Sequence, residues 1–285
     1  MEGRGERRRV VPVQGAKLAV FEYGPDPGRG VPTLLLVHGY PDDHSVFYPL
    51  IGQLTPTHHV IAYDTRNAGL SSVTGEPVSF ALPTLVDDLY AVLAATQASE
   101  VHVVGHDWGS IQAWAAIQDV RAAGKISRFT SVSGPDLHHY VWWMRERLRH
   151  ARRWPQLMGQ LLRSLYVAAF QVPVLPEAAW HFFLTGAFER ATGRGVGDNP
   201  VRGLALYRAN FLSVEHRQPP LPVAIPVRVV VPVKDPFLSP RLVDGLENWV
   251  QELTVTYVDA GHWWPATHAP DLAELLRTEF GPGRA

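Results

Sequence analysis

A chain of 285 residues can hold one large α/β domain with an insertion, or two domains of roughly 100–200 residues, and in either case a sizeable core. The 26 Lys and Arg against 27 Asp and Glu leave a formal charge of -1, so a nucleic-acid surface is not implied; a hydrophobic share of 46% with nine Trp excludes a disordered chain. The longest apolar runs, near 33–37 and 227–233, fall far short of the ~20 residues that span a bilayer, and the absence of cysteine excludes disulfides and thiol chemistry.

The opening through Arg9 is charged and lacks an apolar signal core, so no secretory leader is expected and the cytoplasm is the default compartment. Short β-rich runs then alternate with helical patterns, the order of a mostly parallel sheet covered by helices. Strands are predicted near 9–12, 18–23, 33–37, 59–63, 101–104, 129–132, 227–231 and 254–258. The first two are an expected antiparallel pair, because the connection around Gly15 is too short for a parallel crossover. Helices are predicted over 83–97, 108–118, 240–251 and 270–280; in the first, Leu85, Leu89, Val92 and Leu93 form one stripe behind Pro83 at the opening turn. The alternation stops between 135 and 219, where the composition is helical. We expect a separate lid there, over the C-terminal edge of the sheet, with 1–134 and 220–285 forming the core. The lid carries an arginine run, Arg145, Arg147, Arg149, Arg152 and Arg153, which reads as a solvated helix face, with a lipid or acidic-surface contact as the other reading.

The chemistry concentrates where the strand near 101–104 runs into Gly105-His106-Asp107-Trp108-Gly109 and then a helix. Glycine-flanked strand-to-helix turns of this kind lift the central side chain off the sheet, and the helix behind it offers free backbone N–H groups. The central residue is Asp107. A carboxylate is suited to attack a strained or activated sp³ carbon, giving an alkyl ester on the enzyme that water must then cleave. That step needs a base and donors for a tetrahedral oxyanion. The backbone N–H groups of Tyr40, in His38-Gly39-Tyr40-Pro41, and of Trp108 are the candidate donors, with a cis Tyr40–Pro41 bond as a way to fix the loop. His262, in Asp259-Ala-Gly-His262, is the candidate base. Asp235, in Pro232-Val-Lys-Asp-Pro236, is its candidate orienting acid, with Asp259 as a rival; the chain order is nucleophile, acid, base. The remaining histidines, including the pairs His58/His59 and His138/His139, read as surface or packing residues rather than metal ligands.

His38-Gly-Tyr-Pro41, Gly105-His-Asp-Trp-Gly109, Asp235 and Gly261-His-Trp263 together resemble the α/β-hydrolase superfamily and, within it, the epoxide hydrolases, over nearly the whole chain. The resemblance implies an α/β-hydrolase fold: a mostly parallel eight-stranded sheet flanked by helices, with an inserted helical lid. It also implies that two lid tyrosines hydrogen-bond the epoxide oxygen and protonate it as the ring opens. The segment from Gly203 to Arg208 resembles the second tyrosine site and points to Tyr207. At the first, Phe170-Gln171-Val-Pro173 matches but Ala169 stands where tyrosine is expected; Tyr166, one helical turn earlier, is the candidate. The loop Asp64-Thr-Arg-Asn-Ala-Gly-Leu-Ser71 departs from the family's usual Asp-Arg-Gly-x-Gly-x-Ser at Asn67 and Ala68, which questions its geometry.

The implied activity is hydrolysis of an epoxide to a vicinal diol by Asp107, Tyr207, Tyr166, His262 and Asp235. Its expected partners are a small apolar epoxide and water, with no nucleic acid and no integral membrane segment, and neither metal nor organic cofactor is expected. Haloalkane dehalogenation by the same ester is the nearest alternative, although halide departure needs no tyrosine acid. A non-catalytic ligand-binding member of the superfamily is the other. The lid tryptophans and Phe170, Phe182, Phe183 and Phe188 suggest an apolar pocket.

Overall fold

The sheet of this computed structural model, which describes residues 6–27, 30–75, 78–211 and 218–279, starts as an antiparallel ribbon and continues parallel. Its strands are β1 (Arg7–Val13), β2 (Ala16–Tyr23), β3 (Thr33–Val37), β4 (His59–Tyr63), β5 (Ser72–Val73), β6 (Val101–His106), β7 (Ile126–Val132), β8 (Val227–Pro232) and β9 (Leu253–Val258). The eight expected strands form one path, β1-β2-β4-β3-β6-β7-β8-β9, and the unforeseen two-residue β5 pairs β2 off that path. β1–β2 and β2–β4 are antiparallel and every later pair along the path is parallel. The order reverses at β3, whose neighbours are β4 and β6. Loops leaving the C-terminal ends of β3 and β6 therefore diverge and open a crevice, the usual ligand position in such sheets.

Strand periodicity assigns side chains to two cores. Leu35, Val37, Ile61, Tyr63, Val101 and Val103 pack beneath α2 (Leu82–Ala95) and α3 (Trp108–Ile117), against Leu89, Val92 and Trp114. Leu34, Leu36, Val60, Ala62 and Val104 face the other way, onto Leu50 and Leu54 of α1 (Tyr48–Leu54) and Leu272 and Leu276 of α11 (Ala269–Glu279). Each fully buried leucine of this kind contributes about 1.5–3 kcal/mol of apolar burial.

Between β7 and β8 the chain leaves the sheet and forms α4 (Leu137–Leu148), α5 (Trp154–Arg163), α6 (Leu165–Phe170), α7 (Leu175–Ala179), a π-helical turn (Trp180–Leu184), α8 (Thr185–Thr192) and α9 (Asn199–Asn210). After β9 comes the single turn α10 (Trp264–Thr267). No helix among the described residues is long and apolar enough to cross a membrane. The expected helix end at Phe280 and the 212–217 part of the insertion lie outside the described residues.

Two expectations are corrected. The helix foreseen over 240–251 is instead two short 3-10 turns, Pro240–Val243 and Leu246–Asn248, separated by Gly245 at φ 96. The ring of Trp142, from α4, occupies the space a Cβ at Gly245 would need, so packing by the insertion decides against a continuous helix. Arg147 is the second correction: it is buried, lies 4.1 Å over the Trp143 ring and pairs with Asp244 at 2.9 Å, whereas Arg145, Arg149, Arg152 and Arg153 are exposed as foreseen. The arginine run thus includes one bolt between α4 and the segment after β8.

Candidate active site

Asp107 stands between the end of β6 and the start of α3 at φ 52 and ψ -122, a backbone region that costs a non-glycine residue about 1–3 kcal/mol. Close packing holds it there. A Cβ on Gly109 would run into the carbonyls of Val37 and His38, so only glycine lets α3 sit against the end of β3. The Asp107 N–H donates to Val132 O at 3.0 Å, and its carbonyl accepts from Ile111 N–H at 3.0 Å.

The Asp107 carboxylate has two different sides. The Tyr40 N–H donates to Oδ1 at 2.7 Å, from a loop whose Tyr40–Pro41 bond is cis. Oδ2 lies 3.5 Å from His262 Nε2, and His262 Nδ1 in turn is 2.8 Å from Asp235 Oδ2. Asp235 Oδ1 accepts from the backbone N–H of Phe237 (2.8 Å) and Leu238 (3.2 Å), which orients the carboxylate. Trp108, the first residue of α3, carries one of the N–H groups that a helix start leaves without an internal partner. The rival acid Asp259 is exposed and pairs with Lys234 at 2.9 Å.

Electrostatics follow from this placement. Burial disfavours protonated His262, but the Asp235 charge, the hydrogen bond to Asp107 and that to Asp235 outweigh it and raise its pKa to about 10. Asp235 is held below the ordinary carboxylate value: burial pushes upward, and His262 with the backbone donors pulls further down. His106, beneath them, is driven the other way, to about 3, by burial and by the positive His262. It is a neutral packing residue whose Nε2 lies 3.0 Å from His262 O, fixing the backbone of His262.

Tyr166 and Tyr207 reach the same cavity as Asp107, a space of about 150 Å³ bounded also by Trp108, Ile111, Leu137 and Phe237. Their rings are 5.9 Å apart, and that of Tyr207 is 5.0 Å from Trp108 and 5.2 Å from Tyr40. Ala169, where the resemblance calls for tyrosine, is exposed, so the one-turn shift to Tyr166 restores an inward phenol. Burial and the Asp107 charge push both phenols upward, Tyr207 also through Tyr166, so both keep their protons. Of the other aromatics, Phe170 and Phe188 are buried beside this wall while Phe182 and Phe183 point to solvent.

Helix α9 delivers Tyr207, and side chains that sequence reasoning passed over fix it. Asn199 Oδ1 accepts from Gly69 N–H at 2.9 Å at one end; at the other, Asn210 Oδ1 accepts from Leu82 N–H and its Nδ2 donates to Phe80 O, both at 2.8 Å. Gly203, one turn before Tyr207, lies against the Tyr40 ring, where a Cβ would come within 2.5 Å of ring carbon Cδ2. Two asparagines eleven positions apart, with glycine between them, are a weak signal without knowledge of what they face. Phe237, two residues beyond Asp235, was equally inconspicuous; its ring lies 5.0 Å from His262.

The atypical loop at 64–71 closes normally. Asn67 takes φ 63, which asparagine tolerates better than most residues, in place of the usual glycine. Asp64 accepts from the N–H of His44 (2.9 Å) and Leu70 (2.7 Å). Asp43, His44 and Asp64 bring ligand-type atoms within 4.8 Å of one another, but His44 Nδ1 is already 2.7 Å from Asp64 Oδ1. His59 is buried 3.1 Å from Glu22, and His139 lies 2.9 Å from Leu242 O, both consistent with packing roles.

Residues 32–269 match the family model described as alpha/beta hydrolase fold. The chain belongs to the α/β-hydrolase family. A relative within reach of this α/β hydrolase is the Probable oxidoreductase EphD of Mycobacterium tuberculosis (strain ATCC 25618 / H37Rv), 31% identical over 291 residues, covering 94% of this chain and 48% of that protein. The chain therefore spans about half the length of that relative. Epoxide hydrolase 4 of Mus musculus is 28% identical over 157 residues, 55% of this chain and 40% of that protein. Among solved structures, a Bacillus megaterium epoxide hydrolase in complex with an inhibitor superposes with a TM-score of 0.76 at 20% identity, over 95% of this chain and 99% of that one, and shares the fold.

Proposed function

We propose that the protein hydrolyses a small apolar epoxide to a vicinal diol, with the helices between β7 and β8 acting as a lid. One observation carries the proposal: a carboxylate on a strained turn, bonded to a backbone N–H on one oxygen and 3.5 Å from a histidine on the other, shares its cavity with two phenols, Tyr207 buried and Tyr166 partly buried. Asp107 Oδ2 attacks an epoxide carbon, the ring C–O bond breaks, and the leaving oxygen takes a proton from Tyr207 or Tyr166. The phenols suit this role because burial keeps them protonated. Esterification removes the Asp107 charge, one of the two anions holding the His262 proton, and so returns His262 toward the neutral form a base requires. Water then attacks Asp107 Cγ and gives its proton to His262 Nε2. The oxyanion at Oδ1 meets the Tyr40 N–H and that of Trp108. Collapse breaks the Cγ–Oδ2 bond as His262 passes its proton to the departing diol oxygen; the second water proton returns to the tyrosinate, and one water oxygen stays in the carboxylate.

A cavity of about 150 Å³ accommodates a ring the size of benzene, so compact aryl or short aliphatic epoxides are the expected substrates. The similarity to Epoxide hydrolase 4 supports the chemistry; the oxidoreductase name belongs to a protein about half of which has no counterpart here. The test offers styrene oxide beside a bromoalkane to the purified chain and to Asp107→Ala. Diol from the epoxide only, lost in the variant, is expected. Preferential halide release would establish the dehalogenase instead, and diol formation unchanged in Asp107→Ala would remove the assigned nucleophile.

A further inference from the structure

Helix α5 is amphipathic in the unusual sense. Its inward face is set by Leu157 and by fully buried Gln160, which donates Nε2 to Phe237 O at 3.0 Å and accepts from Ser239 N–H at 2.8 Å. That polar clamp leaves Trp154, Met158, Leu161 and Leu162 facing solvent at the i, i+4, i+7, i+8 spacing of a single helical face, and Leu165 at the start of α6 extends it. Trp154 is 52% exposed, Leu162 63% and Leu165 62%. Soluble chains scatter exposed leucines singly, whereas a contiguous stripe marks a contact surface.

Charge selects the partner. Arg149, Arg152 and Arg153, in the residues just before the stripe, and Arg163, at the end of α5, are exposed. Glu146 is shared among Arg149, His150 and Arg153, and no further acidic residue occurs before Glu177. A second copy presenting the same face would set these arginines against one another. An apolar stripe bearing a tryptophan and bordered by arginines is complementary to an anionic lipid surface, where the ring and leucines enter the acyl boundary and the guanidinium groups meet phosphates.

We propose that the α5 face docks the protein on anionic phospholipid membranes, lying in the interface without crossing it. The α5–α6 junction and the start of α6 supply Ser164, Tyr166 and Val167 to the Asp107 cavity, so docking brings the cavity wall close to the bilayer, a reservoir for apolar molecules. The docking stands independently of the epoxide chemistry.

The test is flotation of the full chain with phosphatidylcholine vesicles made with and without phosphatidylglycerol. Flotation with the anionic vesicles only, reversed by high salt, is expected. Leu162→Glu/Leu165→Glu and Arg152→Glu/Arg153→Glu should each weaken it by about tenfold or more, while thermal unfolding and turnover of a water-soluble epoxide stay as in the parent. Absence of flotation, flotation indifferent to lipid charge, or full retention by both double variants would overturn the proposal. So would sedimentation showing a dimer broken by Leu162→Glu/Leu165→Glu in a chain that ignores vesicles.

Discussion

Replacing Asp235 by Asn removes one negative charge and almost no volume, which isolates the electrostatic part of the His262 arrangement. In the folded protein the His262 pKa stands at about 10, against 6.5 for a free histidine, and the side chain is buried. A folded value above the unfolded one means stability that is fully present below pH 6.5 and is lost as pH rises through about 10. The gap between the two values amounts to at most about 5 kcal/mol, and Asp107, at 3.5 Å, retains part of it, so Asp235→Asn should cost about 3 kcal/mol at pH 7. At pH 10.5 His262 is mostly neutral in the parent as well, and the cost should fall to about 1 kcal/mol, that of an ordinary buried hydrogen bond. Urea unfolding followed by circular dichroism, on parent and variant at both pH values, measures the difference. An equal cost at the two pH values would refute the claim that a charged Asp235–His262 pair exists in the resting protein.

Removing one phenol hydroxyl at a time, by Tyr207→Phe or Tyr166→Phe, should lower kcat by about 10²-fold on an epoxide with little change in thermal unfolding; a variant with unchanged kcat removes that residue from the acid role. Gly203→Ala should push α9 off the Tyr40 ring, costing about 1–3 kcal/mol of stability by thermal melt and lowering kcat although position 203 touches no reacting atom. Arg147→Ala should destabilise by about 1–3 kcal/mol through lost stacking on Trp143 and lost pairing with Asp244, whereas Arg149→Ala, just past the end of the same helix, should stay within about 0.5 kcal/mol. If the two arginine variants melt alike, the buried-bolt assignment of Arg147 is wrong.

Local chemistry made much of this molecule legible in one dimension. Leu34, Leu35, Leu36 and Val37 form a short apolar run bounded by turn residues, the pattern of a strand covered on both faces; glycines around Asp107 mark a backbone that must turn sharply. Strand positions and the chain order of Asp107, Asp235 and His262 followed from the same local signals, because each of these residues lies within four residues of the end of a strand, whereas the order of the strands in the sheet came only with the fold. What lay outside the sequence's reach depended on approach from distant segments. The helix foreseen at 240–251 breaks where Trp142 fills the space beside Gly245, and Arg147 is buried because Asp244 and Trp143 converge on it. Asn199 and Asn210 clamp α9 only because that helix lies across loops more than a hundred residues away. Strand and turn preferences act over a few neighbours and are written in composition; the direction a helical side chain faces is decided by what packs against it, and that partner is brought there only by the completed fold.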